Sequence, residues 1–302
     1  MRKVSEHNGI VVIDKPAGMT SHDVVNRARR LFKTKRVGHT GTLDPDATGV
    51  LVICLGYATR IAEYLSSSRK SYVAEVVFGK ETDTQDASGV VLAERPASHI
   101  TEADVHALCV RFTGKQSQIP PMVSALHHEG KRLYELAREG ITVERAPRDI
   151  EIFACKLLAF TPTEHPIARI EVSCSTGTYI RTLAADMGEV AGTGALMHSL
   201  RRTEVGDVSR PFTLQESFTL EQLQGLAEAE QIAESVIPLR LALAGWTQIP
   251  LDELGVAWLR QGRAVVVDGE DAERVAACDS AGEVVGIGRL VGGMLQPVKV
   301  LV

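Results

Sequence analysis

Residues 38–51 read Gly38-His39-Thr40-Gly41-Thr42-Leu43-Asp44-Pro45-Asp46-Ala47-Thr48-Gly49-Val50-Leu51. Glycines at 38, 41 and 49 allow tight backbone geometry and close approach to a ligand. Pro45 fixes its own φ and pushes Asp44 toward an extended conformation. A carboxylate carried on a stiff, glycine-flanked loop suits a nucleophile or a base. Taken alone, an Asp-Pro pair in a loop reads as a turn. Asp44-x-Asp46-x-Thr48 also matches the motif of magnesium-dependent phosphatases that use an aspartate nucleophile. Those enzymes need a buried apolar strand just ahead of the motif, and Lys35–Thr42 is too polar and glycine-rich to form one.

Working outward, Gly9–Asp14 is a short apolar run closed by Lys15-Pro16-Ala17-Gly18, a strand followed by a turn. Thr20 or Ser21 then caps a helix that turns Val24, Val25, Ala28 and Leu31 inward and its arginines outward. The span Val37–Gly49 reads as a loop, and Val50–Leu55 as a second apolar run. Ser71–Phe78 reads as a strand and Lys80–Gly89 as a polar loop. Thr101–Phe112 carries a capping pattern and helical periodicity. Arg132–Arg138 reads as a short helix, Ile150–Phe160 and Ile167–Ser175 as strands, and Tyr179–Val190 as a helix ending near Gly192. Leu220–Ile237 is helical in pattern until Pro238. Past Trp246 come short β-branched runs, Arg263–Val267, Glu283–Ile287 and Pro297–Val302, separated by glycine turns. The expected organisation is a catalytic domain over 1–240 and a small β-rich module over 246–302. Strands mixed with helices without regular βαβ alternation favour an α+β fold.

The chain has 302 residues, 44% hydrophobic and 24% charged, the profile of a soluble globular protein. Aromatics are only 5%, too few for a broad stacking platform for single strands. No apolar run approaches the roughly 18 residues of a membrane span. The start of the chain meets Glu6 early and lacks a secretory cleavage pattern, so the expected location is the cytoplasm. The five cysteines are scattered without zinc spacing and read as small core residues. Net charge is -5 overall but +6 over residues 1–70, where Arg27, Arg29, Arg30, Lys33, Lys35 and Arg36 cluster. Such a patch attracts a polyanion even on an acidic protein; alone it also fits a solvated helix face.

At the Asp44 loop the chain resembles the TruB family, the tRNA pseudouridine-55 synthases. The resemblance extends through Gly9–Ser21, through Lys70-x-Tyr72 with Gly79, Thr82, Thr84, Asp86 and Gly89, and through Pro120–Ala125 with Gly130–Tyr134. It continues in Ser175-x-Gly177-Thr178-Tyr179-Ile180-Arg181-Thr182-Leu183 and Leu200-Arg201-Arg202-Thr203, so it spans roughly residues 9–206 in order. Val123 stands where an aromatic is common, and His127 where a lysine is expected, which bears on RNA contacts more than on the reaction. The C-terminal module resembles a PUA domain.

The resemblance implies a pseudouridine synthase fold, a largely antiparallel mixed sheet flanked by helices, with a small PUA-like barrel. It implies isomerisation of the T-loop uridine at position 55 of tRNA with no cofactor and no metal, by a protein acting as a monomer. Asp44 is then the nucleophile and Arg181 its ion-pair partner. Tyr72 stacks on the flipped uracil and assists proton removal from C5. Tyr179 and Leu200 wall the uracil pocket, His39 fills the space left in the RNA loop, and Asp86 with the Thr82/Thr84 loop supports the pocket. Whether Asp44 attacks C6, attacks C1′ or abstracts the C2′ proton stays open. Two further readings are a tRNA-folding chaperone that retains the catalytic residues, and an RNA-guided relative working in a larger particle. The module over 246–302 carries a net charge of -3, which suits an auxiliary contact with the tRNA acceptor end.

Overall fold

The structure, a computed structural model, describes residues 7–66, 69–124, 126–128 and 130–301. The chain forms two compact units, Met1–Ser68 with Glu204–Val302, and Arg69–Thr203.

In the first unit the strand Gly9–Lys15 runs antiparallel to Thr48–Leu55, in register from Gly9 opposite Leu55 to Lys15 opposite Gly49. Both are continuous apolar runs, as strands covered on both faces must be. The two-residue period sorts their side chains. Val11, Ile13, Leu51, Ile53 and Leu55 pack on Val24, Val25, Ala28 and Leu31 of the helix Ser21–Leu31. Ile10, Val12, Val50, Val52 and Cys54 face the other way, onto Leu239, Ala242 and Leu243 and onto Ala276, Cys278, Ile287 and Leu301 of the C-terminal sheet. That sheet orders its strands Thr247–Pro250, Ala272–Cys278, Val284–Val291, Met294–Val300 and Val265–Val266, with the first pair parallel and the rest antiparallel. It shares an apolar cluster with the N-terminal strands.

In the second unit Lys70–Phe78, Ile167–Cys174, Arg148–Thr161 and Gly114–Gln118 form an antiparallel sheet in that order. The helices Glu102–Arg111 and Ile180–Val190 belong to this unit. The strand Ala195–Asp207 lies beside Lys70–Phe78, and its last residues, from Glu204, pair with Arg210–Thr213 in the first unit.

The α+β reading holds, and three local expectations change. Val37–His39, read as loop, pairs with Ile53–Leu55. Within the expected loop Lys80–Gly89, Lys80–Thr82 instead pairs with Val91–Glu94. This ribbon is largely exposed, so it needs no apolar alternation to mark it. The helix expected over 220–237 stops at Glu228, where Glu230 takes φ +59°, and a single 3-10 turn follows at Ile232–Ser235. The strand Ala195–Asp207 carries no clear period in its sequence and had no assignment.

Candidate active site

The loop carrying Asp44 joins the strands Val37–His39 and Thr48–Leu55 and is held on both sides of the aspartate. On one side the Leu43 N–H donates to the Ser21 hydroxyl oxygen at 2.8 Å, and that hydroxyl donates to the Leu43 carbonyl at 3.1 Å. Both residues are buried. Ser21 is available for this because Thr20 is the helix cap, in a reciprocal capping box with Asp23. On the other side the Pro45 carbonyl accepts from Lys15 Nζ at 2.8 Å and from the Gly18 N–H at 3.0 Å. The turn closes with the Ala47 N–H on the Asp44 carbonyl, 3.1 Å.

Lys15 is fully buried, and its ammonium donates to the Pro16, Met19 and Pro45 carbonyls at 2.7–2.8 Å. The sequence sets Lys15 at the turn that closes an apolar strand, inside the Gly9–Ser21 stretch, and gives it no role of its own. The signal available was a lysine closing an apolar strand, where a charged group needs polar company to be buried. Asp44 itself is half-buried, and the chain on either side of it is fixed by hydrogen bonds, buried on the Leu43 side and partly buried on the Pro45 side. Of the three loop glycines, Gly49 takes a left-handed φ of +101°. His39 is half-buried, with Nδ1 accepting from the Gly41 N–H at 3.2 Å.

The basic helix divides into two kinds of residue. Arg27 donates to Gln224 at 3.3 Å and Arg29 to Asn26 at 2.8 Å, while Arg30, Lys33 and Lys35 are exposed. Arg27 and Arg30 line one wall of a cleft of about 410 Å³ whose other wall carries Glu221, Gln224 and Glu228.

In the second unit, Arg181 is nearly fully buried at the start of the helix Ile180–Val190. Its guanidinium meets the Asp86 carboxylate and the Thr84 carbonyl, both at 3.4 Å, and donates to the Val123 carbonyl at 2.8 Å. The other Asp86 oxygen accepts from Thr84 Oγ1 at 2.7 Å and from the Ser88 hydroxyl and N–H at 2.6 and 3.0 Å. Gln85, between them at φ +64°, accepts from the Thr182 hydroxyl at 2.9 Å. The Thr82–Ser88 loop is thus locked to the start of the Arg181 helix. Val123, the departure from the family pattern, serves Arg181 through its carbonyl, which any residue there supplies. The His127 side chain lies outside the described residues.

Tyr179 precedes that helix as its N-cap, and its backbone is fixed by the buried Gln118 amide, which accepts from the Tyr179 N–H at 2.8 Å and donates to its carbonyl at 3.0 Å. Tyr72 is buried on Lys70–Phe78, hydrogen-bonded to the Arg202 guanidinium, which is 1% exposed. Burial pushes the Arg202 pKa down, against the opposing pull of Tyr72. Burial first, then Arg202, brings the Lys70 ammonium down to about 8, with Cys174 acting the other way. Leu200 is half-buried on the Ala195–Asp207 strand. Within this unit the structure therefore joins Arg181 to Asp86 and Tyr72 to Arg202. Gln118, Lys70 and Arg202 carry no role legible in the sequence, since nothing local marks a polar or charged side chain as buried without its neighbours.

Among the described residues no three or more His, Cys, Asp or Glu side chains gather as a metal site, and no helix is long and apolar enough to cross a membrane.

Comparison with known proteins supplies the family. Residues 29–180 match the model of the TruB family pseudouridylate synthase N-terminal domain, and residues 181–244 that of the tRNA pseudouridylate synthase B C-terminal domain. The chain is 40% identical to the tRNA pseudouridine synthase B of Saccharophagus degradans, covering 97% of this chain and 96% of that one. It is 52% identical to the protein of the same name from Symbiobacterium thermophilum, over 72% of each chain. The fold is shared with Cbf5 in the crystal structure of the archaeal box H/ACA sRNP Nop10-Cbf5 complex, with a TM-score of 0.73 and 23% identity over 99% of this chain and 88% of that one. With both family models matched in order and a relative alike along nearly its whole length, the chain belongs to the TruB family of pseudouridylate synthases.

Proposed function

We propose that this enzyme converts the uridine at position 55 in the T-loop of tRNA to pseudouridine, with Asp44 as its nucleophile. The observation that carries the reading is the double clamp on Leu43 and Pro45. A carboxylate that must meet a single reacting carbon gains from a backbone fixed before substrate arrives, because the ordering is then already done.

The chemistry breaks the N1–C1′ bond, turns the uracil and rejoins it through C5. Arg181 is the ion-pair partner that keeps Asp44 ionised against the desolvation of a closed pocket. Its anchoring by Asp86 and Val123 supports that task, since a guanidinium held by two fixed acceptors presents its remaining edge in one orientation. Tyr72 stacks on the flipped base and takes the C5 proton, and Tyr179 and Leu200 exclude water from the cleaved bond. His39 fills the gap left in the RNA loop, offsetting part of an unstacking cost of a few kcal/mol. Exposed Arg30, Lys33 and Lys35 contact T-arm phosphates. The 246–302 module, read as PUA-like, adds an auxiliary contact at the acceptor end. The enzyme works as a cytoplasmic monomer without cofactor.

The test is tritium release to water from a tRNA transcript labelled at C5 of its uridines, comparing wild type with Asp44→Asn. One equivalent released per tRNA by wild type, none by the variant, and none from a transcript with cytidine at position 55 is the expected result. Release from the cytidine-55 transcript overturns the site assignment, and release by Asp44→Asn overturns the nucleophile. Tight binding without release by wild type favours the chaperone reading.

A further inference from the structure

The strand Lys70–Phe78 turns Lys70, Tyr72, Ala74 and Val76 to its buried side, where its neighbour on Ile167–Cys174 sets Cys174 opposite Lys70 and Val172 opposite Tyr72. One end of an apolar face is therefore polar. Lys70 is 7% exposed and Arg202, from the adjoining strand Ala195–Asp207, is 1% exposed. Two cations placed side by side in a core repel each other and lose hydration, and apolar residues of similar volume commonly serve stability as well or better. Arg202 is hydrogen-bonded to Tyr72, which lies two residues beyond Lys70 on the same buried face of the strand.

We propose that Arg202 is a positioning residue for the isomerisation, fixing the Tyr72 oxygen and, with Lys70, stabilising negative charge on it. The proposal rests on the reading of Tyr72 as the group that takes the C5 proton and explains how a phenol does so near neutral pH. An ordinary tyrosine ionises near pH 10, and a hydrogen-bonded cation in a dry site favours the phenolate. In the step itself the Tyr72 phenolate oxygen forms an O–H bond as the C5–H bond of the rejoined base breaks. The C–H electron pair becomes the C5=C6 double bond as the pair already at C6 moves off. That pair goes to N1, which takes up a proton from water, or leaves with the departing Asp44 carboxylate if that is bound at C6. The phenol later returns its own proton to water. Within this unit Arg202, from one neighbouring strand, is hydrogen-bonded to Tyr72; Lys70, from the same strand as Tyr72, acts on Arg202, and Cys174, with Arg69 near it, acts on Lys70 from the other strand.

Single-turnover tritium release against pH tests this in Tyr72→Phe, Arg202→Lys, Lys70→Met and the Tyr72→Phe/Arg202→Lys double variant. Arg202→Lys keeps a charge but loses the planar fork. Its rate is expected to fall about 100-fold at neutral pH, with tRNA affinity within a few-fold. The acidic limb of its profile is expected to move up by about one pH unit, so that raising the pH restores part of the rate. Lys70→Met moves the same limb in the same direction by less, and it serves alone if Arg202→Lys does not fold. The double variant is expected to be no slower than Tyr72→Phe. An unmoved limb in the folded variants, or a fully additive double variant, overturns the proposal. A Tyr72→Phe enzyme with undiminished release overturns the reading of Tyr72 itself, and absence of release from wild type overturns the proposed function.

Discussion

The Ser21 hydroxyl holds both backbone groups of Leu43, accepting from its N–H at 2.8 Å and donating to its carbonyl at 3.1 Å. A single buried oxygen one residue into a helix thus sets the backbone directly before Asp44. Replacing Ser21 with Ala leaves a buried donor and a buried acceptor unpaired, at a cost of about 1–3 kcal/mol. Ser21→Ala is expected to lower the melting temperature and to slow release of the C5 label while tRNA affinity stays within a few-fold. Thermal unfolding and single-turnover kinetics check this together. Full activity in the variant would show that the Leu43 clamp is not what orients Asp44.

The Lys15 ammonium performs the matching task for Pro45 and also donates to the carbonyls of Pro16 and Met19. Lys15→Met fills similar volume but leaves those three oxygens short of a donor, so about 3 kcal/mol of stability is expected to go. Lys15→Arg offers donors in a wider, planar head that three converging carbonyls do not fit. It is expected to destabilise as well. Chemical denaturation of both variants is the measurement, and a stable Lys15→Arg protein would contradict the geometry.

Asp86 and Arg181 are both largely buried, so removing one partner leaves the other without full compensation. Asp86→Asn is nearly isosteric and retains an acceptor for the hydroxyls of Thr84 and Ser88. It is expected to cost on the order of 3 kcal/mol in stability and to reduce the rate more than the affinity for tRNA. A variant with wild-type rate would mean that Arg181 needs only the Val123 and Thr84 carbonyls.

The N-terminal part of the first unit was legible in the sequence because its two long strands are apolar runs of the right length and its first helix carries a capping signal, whereas the helix Glu253–Arg260 and the strands Thr247–Pro250 and Ala272–Cys278 were not. The Asp44 loop was legible through its composition and through the family resemblance. What stayed hidden depends on which chains lie side by side. Nothing in the text of Ala195–Asp207 marks it as a strand, since charged Arg202 is inward and apolar Val208, just beyond its end, is outward. Lys15 and Gln118 are polar residues whose function is to hold the backbone of a distant segment, and no local pattern predicts the distant segment. The ribbon formed with Val91–Glu94 escaped because an exposed pair of strands needs no buried face.

Lys70 gives the protein a predictable pH response. Its pKa falls from 10.5 unfolded to about 8 folded, so between those values the unfolded chain binds more protons and stability from this group rises with pH. Below pH 8 both states are protonated and the full penalty of burying the charge remains. Relative to Lys70→Met, the wild type is expected to gain on the order of 2 kcal/mol between pH 7 and 9.5. Urea denaturation at the two pH values checks this. A constant difference would mean that Lys70 keeps its proton when folded.

The basic patch divides by exposure, and the division predicts its salt dependence. Arg27 and Arg29 donate to protein oxygens, whereas Arg30 on the same helix and Lys33, just past its end, stand exposed. A cation already engaged within the protein releases fewer counterions from RNA than one that reaches a phosphate on binding. Arg30→Ala and Lys33→Ala are each expected to lower the slope of log K against log salt for tRNA by about 1, with single-turnover rates at saturating enzyme unchanged. Arg29→Ala is expected to leave the slope nearly intact and instead to loosen the helix end it ties to the Val37 carbonyl. Filter binding over a range of salt concentrations measures all three. Equal slopes for wild type, Arg30→Ala and Lys33→Ala would move the RNA path away from this helix.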